Sequence, residues 1–298
     1  MLLRKLQEKS ATVYRSLGRV TDHTQGMDMS QEQMREARRD VDAAVAVWRG
    51  VIEERLSDTV EYALLKGSAT KPWDSPVDYV PVVSDLDIHI GTRGGRPLFP
   101  PTRDGYIYSL DTTRIIEERF LELRSDHLHI PRPQVVVMKE EHQDWLAETP
   151  DQVKALYGEV PVRPPEPVER LRARDLAELR GLGPLLDRLP EQVIDRLGLE
   201  YYRVLRMICY VVSPTPVRVL SQTHPDPKRL WALNRTGVIR ELKRYGYGEL
   251  AEAYGGYYMA GWAAFNGGFM DGGAMRHVLM QGYNVLDLSN QAVREAAW

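Results

Sequence analysis

Only one of the 298 residues is a cysteine, Cys209. That excludes an intramolecular disulfide framework and any metal site built from several thiolates. Cys209 falls in an apolar helical pattern and reads as a small buried hydrophobe. An excess of charge of one sign is missing too. Lys and Arg number 39 against 42 Asp and Glu, a net charge of −3, so no global basic field draws the chain to nucleic acid and only a local patch would. The uncharged stretch Tyr254 to Met270 is rich in Gly and interrupted by Asn266, too short and broken for a membrane span. It reads as a buried helix, although its aromatics could also line a pocket for a base. Met1 to Lys9 is amphipathic and lacks the apolar core of a signal peptide. The expected compartment is cytoplasmic, with no membrane partner. Internal repeats and heptads are absent, as are Walker A, Cys-x-x-Cys and Gly-x-Ser-x-Gly motifs.

What remains is the composition of a globular protein, 43% hydrophobic and 27% charged, long enough for one large domain or two ordinary ones. Residues 2–18 read as a short helix. Ser30 looks like the N-cap of a second, over about 31–57, with Val41, Val45, Trp48 and Ile52 in its apolar stripe. Tyr62 to Leu65 is a short buried strand that ends in a tight turn at Gly67 and Ser68. A polar, Pro-rich stretch follows, containing Lys71 and Trp73. It reads as a surface loop or as a flap near a phosphate site. The apolar run Val80 to Ile90 carries Asp85 and Asp87, which share one face of a strand. Two carboxylates so close repel unless something neutralises them, and a divalent cation, Mg²⁺ above all, is the usual solution. Residues 91–105 form a long loop whose Arg93, Arg96 and Arg103 are either solvated or hold an anion. Asp111 to Arg124 reads as a helix. Asp126, His127 and His129 lack a recognised zinc spacing. Gln134 to Met138 reads as a buried strand. Prolines 161, 164, 165 and 167 mark a linker, and helical patterns follow over about 167–180, 184–189, 191–212, 226–245, 248–266 and 272–296. The expected fold is therefore an α/β (α+β) domain with a mixed sheet over residues 1–160, then an all-helical domain over 161–298.

Gly67-Ser68 at the end of an apolar strand, followed by Ser84-Asp85-Leu86-Asp87 on the next, resembles the polymerase-β-like nucleotidyltransferase superfamily. The resemblance covers roughly residues 55–140. It departs from the family pattern in a longer hairpin, residues 69–84, and at the third strand. There the family often carries a third carboxylate, whereas Gln134 holds the aligned position and Glu140 and Glu141 lie just beyond. Further on, Ser221, Lys228 and Trp231 faintly resemble the helical domain of antibiotic adenylyltransferases.

The resemblance implies a metal-dependent nucleotidyltransferase. Asp85 and Asp87 would be the catalytic and metal residues, holding Mg²⁺ or Mn²⁺. Gly67 and Ser68 would cradle the β- and γ-phosphates of an NTP, with ATP the leading choice, and Lys71 and Lys228 would contact the nucleotide. The acceptor, expected between the two domains, would be a small molecule, a tRNA end or a protein side chain, and the products a nucleotidylated acceptor and pyrophosphate. The alternative is a nucleotide- or partner-binding protein on the same fold whose chemistry has decayed, which the neutral Gln134 favours.

Overall fold

The computed structural model describes residues 26–149 and 152–295; the helix expected over residues 2–18 lies outside them. The chain is mixed α/β, with one four-stranded mixed sheet and a helical C-terminal part. It divides into two compact units. One comprises Asp28–Pro72 and Ser84–Glu166; the other contains Trp73–Val83 and everything from Pro167 onward.

The sheet unit begins with α1 (Gly26–Val51). Ser30 lies inside this helix, not at its cap, because helical hydrogen bonding runs on through it. Ala37, Val41, Ala44, Val45, Trp48 and Val51 form its buried stripe. A π-helical turn over Ile52–Leu56 closes the helix and turns Ile52 and Leu56 into the core. Strands β1 (Val60–Lys66), β2 (Leu86–Thr92), β3 (Pro133–Val137) and β4 (Lys154–Tyr157) stand in the order β3-β2-β1-β4. β1 runs antiparallel to both β2 and β4, whereas β2 and β3 are parallel. Parallel neighbours need a crossover, supplied by α2 (Arg103–Leu123).

Helix α2 begins at Arg103, not Asp111, because Thr102 caps it, its hydroxyl accepting from the Gly105 N–H at 3.1 Å. The long loop is thereby shortened. It leaves the end of β2 that carries Thr92, while Asp87 sits near the other end. Five strand residues separate those ends by about 17 Å, which counts against a lid role for Arg93 and Arg96. β3 is not buried as its apolar sequence suggests. As an edge strand it leaves Pro133, Gln134 and Val135 exposed. Buried Asp40 on α1 fixes the segment before it, accepting from the Leu128 and His129 N–H groups at 2.9 and 3.0 Å. His129 Nδ1 lies 3.2 Å from the same carboxylate, so this histidine serves the fold.

The helical unit contains α3 (Val168–Arg180), α4 (Leu182–Ile194), α5 (Tyr201–Val212), α6 (Thr215–Ser221), α7 (Pro227–Ala232), α8 (Arg235–Arg244), α9 (Gly248–Asn266) and α10 (Gly272–Glu295). Two helices expected as continuous are broken. The first is interrupted at residues 195–200, where Gly198 adopts φ +57°, a left-handed conformation no helix interior allows. Ile194, Leu197 and Leu199 consequently face solvent. The second is interrupted at Asn234, whose side chain accepts from the Gly237 N–H and starts α8 afresh. α9 is buried along its uncharged part, as expected, through Tyr254, Tyr257, Tyr258, Trp262 and Phe265. Cys209 is only half-buried.

The Pro-rich stretch is stitched into this helical unit and is not a free surface loop. Buried Asp78 accepts from the N–H groups of Asp74, Ser75 and Thr236 at 2.8, 3.0 and 2.8 Å and from the Thr236 hydroxyl at 2.8 Å. Trp262 Nε1 donates to the Pro76 carbonyl at 2.8 Å, and Arg235 donates to that of Val77 at 3.0 Å. Replacing buried Asp78 by Ala removes the acceptor of four partly buried donors, so we expect a loss of about 2 kcal/mol in denaturant unfolding. Asp78→Asn should recover part of it, and an unchanged midpoint for Asp78→Ala would show that the insert is not anchored this way.

Candidate functional site

Gly67, Ser68, Asp85, Asp87 and Gln134 lie toward one end of the sheet. Strand β1 ends at Lys66, and Gly67 turns the chain with φ +80°. The turn is closed by Thr70, whose N–H and hydroxyl both donate to the Gly67 carbonyl, at 3.2 and 2.9 Å. It is held from α1 by Arg38, which donates to the carbonyls of Ala69 and Lys71 at 2.8 and 2.9 Å. A Cβ at Gly67 would stand 2.1 Å from Asp87 Oδ2. Glycine is therefore needed here twice, for its positive φ and for the approach of the backbone to a carboxylate.

Asp87 is the register partner of Lys66 on one side and of Gln134 on the other. Directly opposed residues share a sheet face, so Lys66, Asp87 and Gln134 form one row. Asp85 lies just before β2, and its Oδ2 accepts from Arg132 at 2.7 Å. Each carboxylate thus has a protein cation near it. Burial pulls the Lys66 pKa down from its ordinary value, and the Asp87 charge opposes that shift. Behind this row on the same face lies His89, opposite Leu64 and Val136. Burial, followed by the charges of Lys66 and His142, pushes its pKa down to about 3, so the imidazole is neutral near pH 7. The ring of Trp145 stands near both, with Lys66 Nζ 5.7 Å and the His89 ring 6.0 Å from its centroid.

Gly67, Ser68, Asp85, Asp87 and Gln134 accordingly belong to the sheet unit, with the Gly-Ser turn against the Asp-x-Asp strand. Lys71 follows the turn and is half-buried. Lys228 belongs to the helical unit, in the first turn of α7 after the N-cap Asp226. Ser221 and Trp231 have a structural task in that unit. The Trp231 indole N–H donates to Asp175 at 3.3 Å, and Ser221 bonds to the same carboxylate, whose pKa is nonetheless raised, chiefly by burial. Sequence reasoning missed Arg38, Lys66, Arg132 and Trp145. Lys66 could have been found, since a lysine ending an apolar strand beside a Gly-Ser turn has a charge to place; Arg132, between two prolines, carried no such signal.

Two carboxylates, a serine hydroxyl and an amide oxygen are hard donors of the kind magnesium takes. Among the described residues no three His, Cys, Asp or Glu side chains gather as a complete protein cage. A divalent cation held by Asp85 and Asp87 would need water and phosphate oxygens as its other ligands, and Asp85 would be shared with Arg132. No known protein family, curated protein or solved structure matches the chain.

The closeness of Gly67 to Asp87 sets a measurable coupling. Gly67→Ala should cost about 2–3 kcal/mol of stability, part from backbone strain and part from collision with the carboxylate. In an Asp87→Ala background only the strain remains, about 1 kcal/mol. A double-mutant cycle in urea that returns simple additivity would mean that the two residues do not touch.

Proposed function

We propose that the sheet unit transfers a nucleoside monophosphate from a nucleoside triphosphate to an acceptor hydroxyl, releasing pyrophosphate. One observation carries this reading: the Gly67 backbone lies against the carboxylate of Asp87 with no room for a Cβ. A glycine turn beside a carboxylate pair is the arrangement that brings backbone N–H groups to a polyphosphate next to its counter-cation. The mixed sheet, with the parallel β2–α2–β3 crossover, agrees with the nucleotidyltransferase resemblance of residues 55–140.

In this reading Asp85 and Asp87 hold Mg²⁺, which supplies charge neutralisation at the phosphates and a more acidic acceptor hydroxyl. Ser68 and the N–H groups of its turn bind the β- and γ-phosphates. Arg38 holds that turn in place through the Ala69 and Lys71 carbonyls. Arg132 fixes the Asp85 carboxylate. Gln134, next to Asp87, orients by hydrogen bonding and takes up no proton, because an amide is neither acid nor base here.

A second reading rests on the same two neighbours. Arg132 already neutralises Asp85, and Gln134 stands where a third carboxylate is expected, so the site would bind a nucleotide without transferring it.

Incubating the protein with α-labelled ATP, Mg²⁺ and pooled acceptors (aminoglycosides, tRNA, casein) separates the two. Transfer predicts a labelled acceptor, stoichiometric pyrophosphate, and a fall of several orders of magnitude in Asp87→Asn, since metal stabilisation of the transition state is worth several kcal/mol. Nucleotide binding with no pyrophosphate from any acceptor would support the second reading, and equal rates for wild type and Asp87→Asn would overturn the first.

A further inference from the structure

Trp145 closes the short 3₁₀ turn that follows β3. Its side is 48% exposed, a large indole surface left to water at the carboxylate end of the sheet. The ring is nevertheless held. His142 stacks on it with centroids 4.5 Å apart and planes inclined by 21°, and His89 approaches at 6.0 Å, inclined by 51°. Lys66 Nζ lies 5.7 Å from the centroid, and Lys66 is the register partner of Asp87. The indole thus stands within reach of the lysine that pairs in register with Asp87. It is pre-oriented by two imidazoles, and its open part costs no further ordering when something covers it.

The surroundings select the occupant. Lys66 and Arg132 are cations beside the carboxylates and favour an anionic ligand there. The indole next to them favours a flat apolar ring on the same ligand. A nucleotide has both parts, and nucleobases stack on aromatic side chains without needing sequence-specific hydrogen bonds. We propose that Trp145 is the stacking platform for the base of the nucleoside triphosphate, with His142 holding the indole in position. This inference rests on the proposed nucleotide site and adds the residue that grips the base.

The test is calorimetric titration of the full-length chain, with Mg²⁺, by a non-hydrolysable ATP analogue and separately by inorganic tripolyphosphate. Tripolyphosphate has the charge of the nucleotide's phosphate chain and no base. Trp145→Ala should weaken the ATP analogue on the order of ten-fold, the loss of one base–aromatic stack, and leave tripolyphosphate within two-fold, about the scatter of such titrations. Trp145→Phe should restore most of the nucleotide affinity. Unchanged affinity for the ATP analogue in Trp145→Ala overturns this inference and leaves the nucleotide site standing. An equal loss for both ligands also overturns it, assigning the indole to covering Lys66 and His89. If wild type binds neither ligand, the nucleotide site itself falls.

Discussion

The candidate site depends on one steric constraint: the Gly67 backbone and the Asp87 carboxylate occupy adjoining space that admits no Cβ. Everything around it serves to hold the two in place. The antiparallel register of β1 on β2 brings Lys66 opposite Asp87, so the turn that follows must pass the carboxylate. Arg38 ties that turn to α1. α1 is in turn tied to the chain leading into β3 through Asp40, Leu128 and His129. A helix, a turn and two strands are thus coupled by hydrogen bonds whose loss would be felt at the carboxylate.

Charge balance is the second constraint. Two carboxylates two residues apart in the chain repel one another unless cations stand beside them. Here Arg132 meets Asp85 at 2.7 Å, and Lys66 stands opposite Asp87. A protein cation therefore stands beside each carboxylate before any ligand arrives. Gln134 adds no charge to the row. The affinity of such a site for a bare divalent ion should be low, because two carboxylates supply a minority of an octahedral shell.

Much of this was legible in the sequence because it lives in short-range pattern. The strand, glycine turn and Asp-x-Asp spacing depend on periods of two residues and on a residue without a side chain, and the uncharged run around Tyr257 announced a buried helix. What was not legible depends on what lies beside an element. β3 reads as buried because its residues are apolar, yet its first three residues are exposed at the edge of the sheet, where among the described residues no strand pairs with its outer side. The stretch around Pro76 reads as a surface loop because it is polar and Pro-rich, yet its polar groups converge on buried Asp78. The ends of α2 and α8 were set by the caps Thr102 and Asn234, single residues that resemble many others in the chain. Arg132, the partner of Asp85, comes from a segment that no spacing rule connects to it.

Titration of Mn²⁺ into wild type, Asp87→Asn and Gln134→Glu, followed by electron paramagnetic resonance with and without a non-hydrolysable NTP, tests the central claim most directly. Mn²⁺ alone should bind weakly, and more tightly with the nucleotide present, since each supplies ligands for the other. Asp87→Asn should lose most of that affinity and Gln134→Glu should gain. Identical Mn²⁺ affinity in wild type and Asp87→Asn, with the nucleotide present, would contradict the assignment of the carboxylate pair as a metal site.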